Sequence, residues 1–251
     1  MRAGTRDRYR RPRNPAPDQV DFLRGEPHHE RWTTVAISES TVAIIGTGTI
    51  GSTLAAEFAA GGQDFLLAGR DDQAARTIAA GLDGHAEAVS VDEAVQRADA
   101  LVVAVWLPDF EQFIAQYGPR LAGKVIVDPT NPVGPDAEGN YRKVIGAQES
   151  SGQILAGLLP TGTALVKAFG TLTAPSLAAA TRQEPERAVL FYATDDDAAG
   201  DLVAELIQAA GFDPVRVGGL DQSIRIEMFG DLHEYGALGR VVTRTEALKA
   251  I

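Results

Sequence analysis

The sequence predicts an α/β fold: a doubly wound parallel sheet followed by a small C-terminal α/β extension. Three observations carry that expectation. Short runs of β-branched and aliphatic residues alternate with longer helical stretches, the signature of repeated strand–helix–strand units. The first of these runs feeds directly into a glycine-rich turn and then a helical pattern. At 251 residues and 45% hydrophobic, the chain can bury a sizeable core as one large domain or two small ones.

Charge and composition narrow the function classes. With 23 basic against 34 acidic residues the formal net charge is -11, which lacks the electrostatic footprint of a general nucleic-acid binder. No apolar run reaches the roughly 18 residues of a membrane span. Cysteine is absent, which excludes disulfides, thiolate metal sites and cysteine nucleophiles. Four scattered histidines leave little room for zinc, so no metal is expected. The expectation is a soluble, cytoplasmic protein acting on a small molecule, with neither nucleic acid nor membrane as partner.

Two segments differ in character. Residues 1–36 form a basic, proline-rich extension: the first 34 hold eight arginines against five acids and show no apolar periodicity. Such a stretch cannot offset its own ordering entropy, which predicts a disordered tail or sequence upstream of the true start. A basic arm touching RNA or an anionic surface is the competing reading. Arginines not followed by an apolar segment do not make a signal peptide. Residues 37–251 form the folded domain, with its C-terminal extension beginning at about residue 160.

The informative stretch begins at Thr41. Residues 41–45 read as a buried parallel strand. Gly46, Thr47, Gly48, Thr49, Ile50 and Gly51 then match G-x-G-x-x-G, residues 52–60 read as a helix, and residues 64–68 as a second strand. In that context each glycine has a job. Gly46 makes the tight turn, Gly48 lets the backbone approach a pyrophosphate, and Gly51 allows close helix–strand packing. The helix N-terminus offers free N–H groups to phosphate. The competing reading is a ligand-free β–α turn. The context favours a Rossmann dinucleotide site.

The end of the second strand selects the dinucleotide. NAD sites place a carboxylate there for the ribose hydroxyl, but this chain has Gly69 and Arg70. Glycine leaves room for a 2′-phosphate and a guanidinium can hold it bidentately, so NADP(H) is favoured. Asp71 and Asp72 would repel phosphate if turned inward; otherwise one of them caps the following helix.

Further along, residues 86–90, 100–106, 124–128, 164–169, 187–193 and 212–217 read as strands. Helices are expected at 91–98, 108–116, 148–159 and 198–210, and a final helical region from Asp221. The loop 134–141 is expected to be irregular. Ligands on such sheets bind at the carboxyl ends of the strands, where Trp106, Thr130 and Asn131 fall. Trp106 either walls the cleft or packs in the core. Thr130 and Asn131 either reach nicotinamide or substrate, or simply shape a turn between prolines. Lys167 is read as an acid, a phosphate contact, or a side chain snorkelling from the sheet end. The aspartates at 195–197 suit a helix start better than a magnesium site. His233 and Glu234 read as surface or packing residues. No Ser–His–acid triad is present, and the catalytic residues stay unassigned.

In this order the motifs resemble the NADPH-dependent coenzyme F420 reductases (F420-dependent NADP oxidoreductases). The segments that carry the resemblance are residues 46–51, Gly69 and Arg70, Val105, Trp106, Leu107 and Pro108, residues 128–132, 166–169, 195–197 and 218–220. The resemblance covers the chain from about Thr41 to near its end. It implies hydride transfer between NADPH and a deazaflavin, F420, lying across the nicotinamide. Gly69 and Arg70 inherit the family's NADP-binding role; Val105, Trp106 and Leu107 fall with Asn131 among the cofactor-binding positions. Two positions depart from the family pattern: Asp71 stands where a second basic residue is frequent, and Gly170 where many relatives carry Asn. Both partners being cofactors, the protein would mainly supply proximity and orientation.

The alternatives are an NADPH-dependent reductase of a small carbonyl or imine, and a non-catalytic NADPH-binding redox sensor. The former usually builds its substrate site with a long all-helical C-terminal domain, whereas the residues after 162 include strands. A homodimer is expected for such folds, with the last helices and the 170–180 loop as candidate contacts.

Overall fold

The computed structural model describes residues 40–251. The extension assigned to residues 1–36 lies outside the described residues. The strands and helices follow one another as β1 (Val42–Ile45), α1 (Thr49–Ala60), β2 (Phe65–Ala68), α2 (Asp72–Ala80), β3 (Ala86–Ala88), α3 (Val91–Arg97), β4 (Ala100–Val103), α4 (Leu107–Leu121) and β5 (Val125–Asp128). A short hairpin, β6 (Val133–Pro135) and β7 (Tyr141–Lys143), precedes α5 (Ser151–Leu158) and β8 (Ala164–Lys167). Then come α6 (Ala174–Ala180), β9 (Val189–Thr194), α7 (Asp197–Ala209), β10 (Asp213–Arg216), and two single-turn helices, α8 (Ser223–Ile226) and α9 (Arg244–Ala247).

Eight strands make one sheet in the order β10-β9-β8-β5-β4-β1-β2-β3. Six run parallel, from β3 across to β8. The chain starts at β1 in the interior, winds outward to β3, then returns to the other side of β1 with β4. The central strands are buried on both faces, which explains their uninterrupted aliphatic composition. Alternation within them sorts side chains into two cores. Val42 and Ile44 face α1, α2, α6 and α7, whereas Ala43 and Ile45 face α3, α4 and α5. Helix starts are set by local polar chemistry: Ser90, Ser150 and Asp196 each accept a hydrogen bond from a first-turn N–H.

Four expectations are corrected here. The sheet is not parallel throughout: β9 runs antiparallel to β8, pairing Val166 with Thr194 and Lys167 with Ala193. The 134–141 segment spans the turn and inner strand residues of the β6–β7 hairpin, whose three-residue strands are too short for a strand pattern to show. The 170–180 stretch is half helical, as α6, because Pro175 sits in a first turn, where its missing N–H costs nothing. The region after Asp221 is mostly turns beyond α8, so His233 and Glu234 lie outside any helix.

Candidate functional site

A cleft of about 1020 Å³ opens along the carboxyl ends of β1, β2, β4, β5 and β8. It straddles the junction of β1 and β4, where the winding direction reverses and the loops above the strands splay apart.

The glycine loop forms its floor. Gly46 has φ +121°, and a Cβ there would collide with the Ala104 carbonyl of the neighbouring strand end. A Cβ on Gly51 would collide with the Gly46 carbonyl, so Gly51 serves the packing of α1 against its own turn and is not itself on the cleft wall. Gly48 is different: nothing lies within 4 Å of where its Cβ would be. That space is open cleft. No side chain caps α1, and the Ser52 and Thr53 hydroxyls bond back to Gly48 and Thr49 carbonyls. The first-turn N–H groups and the positive end of the helix dipole therefore meet the cleft. Thr47, Thr49 and Ile50 line it beside them.

At the end of β2, Gly69 is buried, and a Cβ there would lie 3.1 Å from the Thr47 side chain. The room that glycine leaves is thus shared with Thr47. The Arg70 side chain is 90% exposed and reaches across the cleft, its guanidinium 3.7 Å from the Asp109 carboxylate on the first turn of α4. Asp71 does not oppose it directly: one carboxylate oxygen accepts from the Gln73 and Ala74 N–H groups, at 2.9 and 3.2 Å, as the N-cap of α2. Val91, Gln112, Phe113, Gln116 and Tyr117 complete this end. Sequence reasoning missed the α4 contributors, although their i, i+1, i+4, i+5 spacing marks one helical stripe.

Trp106 does not pack in the core. It stands 55% exposed at the start of α4, 6.5 Å between ring centroids from Tyr141 of the hairpin. Val105 lines the cleft beside it, while the Leu107 side chain turns inward to the core between sheet and α4. Beyond Trp106 the wall is formed by Thr130, Asn131, Tyr141, Leu172, Pro175, Met228, His233 and Tyr235, among others. Asn131 lines this wall with its amide already engaged, donating to the Gly170 carbonyl at 2.9 Å and accepting from the Met228 N–H at 2.6 Å. It ties the β5 and β8 ends to the C-terminal segment.

Under this end lies a closed ionic network. Lys167 is 1% exposed and donates to Asp128 at 2.7 Å, to Ser151 Oγ at 2.9 Å and to the Thr130 carbonyl. Asp128 also accepts from Thr130 N–H and Oγ, at 2.8 and 2.6 Å. Glu227, equally buried, accepts from both Ser150 and Ser151 hydroxyls and the Gly152 N–H. Lys167 therefore neither snorkels nor lines the cleft, because these partners satisfy its ammonium inside. Of the three aspartates at 195–197, Asp196 caps α7, Asp197 pairs with Arg216, and Asp195 accepts from the Leu220 N–H. Among the described residues no cluster of acids and histidines fits a metal ion.

His233 is the histidine of the inner wall. Burial pushes its imidazole down to about 4, against the opposing charge of Glu234, and its Nδ1 accepts the Tyr235 N–H at 2.9 Å. It is neutral near pH 7 with one nitrogen already engaged. Glu234 accepts from the Thr173 N–H and from Ser176 Oγ, which anchors the segment 228–235 over α6.

With this geometry in hand, comparison with known proteins is informative. Residues 41–132 match the family described as NADP oxidoreductase coenzyme F420-dependent. The F420-dependent NADP reductase of Methanothermobacter thermautotrophicus is 29% identical over 197 residues, covering 74% of this chain and 84% of the relative. A hypothetical protein of Sinorhizobium meliloti superposes with a TM-score of 0.72 at 30% identity, over 82% of this chain and 97% of its own. A candidate F420-dependent NADP reductase from Arthrobacter sp. FB24 shares the fold, with a TM-score of 0.62 at 23% identity over 73% and 86% of the two chains. From the glycine loop to the loop after β5 the match coincides with the cleft's central walls, and over residues 41–132 the chain is similar to the family of coenzyme F420-dependent NADP oxidoreductases.

Proposed function

We propose that the cleft binds NADPH across the β1–β4 junction and that the chain passes its hydride to a deazaflavin or flavin-like acceptor, F420 among them. The residues present fit the nucleotide. Open space at Gly48 and the uncapped start of α1 suit a pyrophosphate, and Arg70, the one Lys or Arg on the cleft wall among the described residues, suits a 2′-phosphate. When bound, NADPH supplies the hydride. The chain's own residues orient and enclose: α1 holds the phosphates, Trp106 stands at the middle of the cleft, and the wall from Thr130 to Tyr235 faces the acceptor.

The observation that carries this reading is the aromatic, apolar character of the wall from Thr130 to Tyr235, which among the described residues no Lys, Arg, Asp or Glu side chain lines. Reducing a carbonyl to an alcohol calls for a positioned acid that works near neutral pH. His233 is neutral there and its Nδ1 is occupied. Asp128, Lys167 and Glu227 are sealed beneath the wall. A planar conjugated ring can stack on the exposed faces of Trp106, Tyr141 and Tyr235, which favours it as the acceptor.

The test is anaerobic mixing of the purified protein with NADPH and oxidised F420, with FMN in place of F420 as control. Rapid F420 reduction, much slower with NADH, supports the proposal. Clear NADPH binding without turnover of either acceptor removes the acceptor assignment and moves weight to a redox sensor.

A further inference from the structure

The turn after β5 is held rigidly from below. Pro129 and Pro132 fix φ within it, and Pro132 also confines Asn131, the residue before it, to extended backbone. Asp128 accepts from the Thr130 N–H and hydroxyl, and Lys167 donates to the Thr130 carbonyl. The Val133 N–H bonds back to the Asn131 carbonyl at 2.8 Å. All of these bonds act on the backbone of Asn131 or on its neighbours, so its side chain stands on a fixed base at the end of a buried central strand.

From that base Asn131 reaches the C-terminal wall. The segment from Glu227 to Tyr235 joins no strand of the sheet, so individual hydrogen bonds hold it in place. Its far end is secured by Glu234, whose carboxylate accepts from the Thr173 N–H and Ser176 Oγ and whose N–H donates to the Thr171 carbonyl at 3.2 Å. Its near end has two ties. One runs beneath the cleft, from Lys167 to Ser151 Oγ at 2.9 Å and from Ser151 to Glu227 at 2.8 Å. The other is at the surface: Asn131 Oδ1 accepts from the Met228 N–H at 2.6 Å, and Asn131 Nδ2 donates to the Gly170 carbonyl at 2.9 Å. Of these tying side chains only Asn131 lines the cleft.

We infer that Asn131 is a positioning residue: acting through Met228, it fixes the C-terminal wall relative to the nucleotide floor and so sets where the acceptor stands. The inference rests on the proposed NADPH reading and assigns a role on the acceptor side of the same cleft. An asparagine amide has two N–H donors and two lone pairs. Here one of each is spent on ties that span 39 and 97 residues of the chain. Without them, water can satisfy the Met228 N–H and the Gly170 carbonyl, but it cannot restore their fixed separation. Hydride transfer is sensitive to that separation, because the reacting atoms must be held in contact and in line. The buried Lys167–Asp128 pair gains a purpose too, since it steadies the turn from which Asn131 projects.

Asn131→Ala and Asn131→Asp test this together. The aspartate keeps an oxygen for the Met228 N–H and gives up only the donation to Gly170. In Asn131→Ala the acceptor KM, measured with F420, should rise about tenfold while the NADPH dissociation constant changes less than about twofold. Asn131→Asp should recover most of that rise. Amide hydrogen exchange needs no acceptor: residues 228–235 of Asn131→Ala should exchange about tenfold faster, with α1 and β4 unchanged. A merely structural role would instead speed exchange throughout. NADPH binding weakened as much as acceptor binding overturns the inference, since Asn131 would then be a nucleotide contact. So does unchanged exchange in residues 228–235, an equal rise everywhere, or no recovery in Asn131→Asp. If Asn131→Ala does not fold, exchange in Asn131→Asp, where the Gly170 tie alone is lost, should rise in the same segment by a smaller factor, and no rise overturns the inference. Absence of F420 turnover by the unaltered chain is the separate failure of the proposed function, and hydrogen exchange then decides alone.

Discussion

In the proposed reading Arg70 and Asp109 set the cofactor selectivity of the cleft, and their energies pull in opposite directions. The pair is solvent-exposed and loosely met at 3.7 Å, a geometry that contributes little to stability. Its importance lies in competition for the guanidinium. A 2′-phosphate on Arg70 would stand close to the Asp109 carboxylate, whereas a ribose hydroxyl would not feel that repulsion. Arg70→Ala is expected to weaken NADPH binding by roughly 1–3 kcal/mol, the scale of a charge-assisted hydrogen bond, and to spare NADH. Asp109→Asn should tighten NADPH by about 0.5–1 kcal/mol and leave NADH unchanged. Nucleotide fluorescence titrations read both. Equal changes for the two nucleotides would remove Arg70 and Asp109 from the 2′-phosphate site. Asp71, the residue that most weakened an NADP reading of the sequence, is neutralised as an objection by the N–H groups of α2 that hold it.

At the scale of elements, what could be read in advance follows from where the information lies. β1, the glycine loop, α1 and β2 are specified by local rules: doubly buried strands are aliphatic throughout, and only glycine fits at positions 46 and 51. The same locality made Gly69, Arg70 and the cap at Asp71 legible. Of the wall from Thr130 to Tyr235 only Thr130 and Asn131 were legible, because the rest is assembled from separate segments by long-range bonds such as Asn131 to Met228 and Glu227 to Ser151. Tyr141 and Tyr235 carry no periodic signal, and Lys167 acquires its role only when Asp128 on β5 is set beside it in register. That strand pairing predicts a large cost for breaking the buried pair. Lys167→Met should destabilise the protein by about 3–5 kcal/mol, since the Asp128 carboxylate stays buried without its cation. Adding Asp128→Asn should recover part of the loss, because the amide carries no charge to strand. Chemical denaturation of the single and double variants measures the coupling; strictly additive losses would mean that the pair does not act as a unit.

For the whole molecule, the consequence of this assembly is a pH-dependent stability centred on His233. The segment from Met228 to Tyr235 lines the cleft with His233 buried in it, and burial holds that imidazole at about 4 against the ordinary 6.5. The unfolded chain therefore takes up a proton more readily than the folded one between those two values. Stability should be full above pH 6.5 and fall as the pH drops through the window, by about 2 kcal/mol from this group between pH 7 and pH 5. The Glu246 carboxylate, held at about 2 by Arg240 and the Thr243 N–H, loses its contribution only at lower pH, so it does not obscure the window. Urea denaturation at pH 7 and pH 5 checks this, with His233→Gln as the reference in which the extra slope should vanish even if its overall stability is lower. A variant that keeps the full slope would place the titrating group elsewhere.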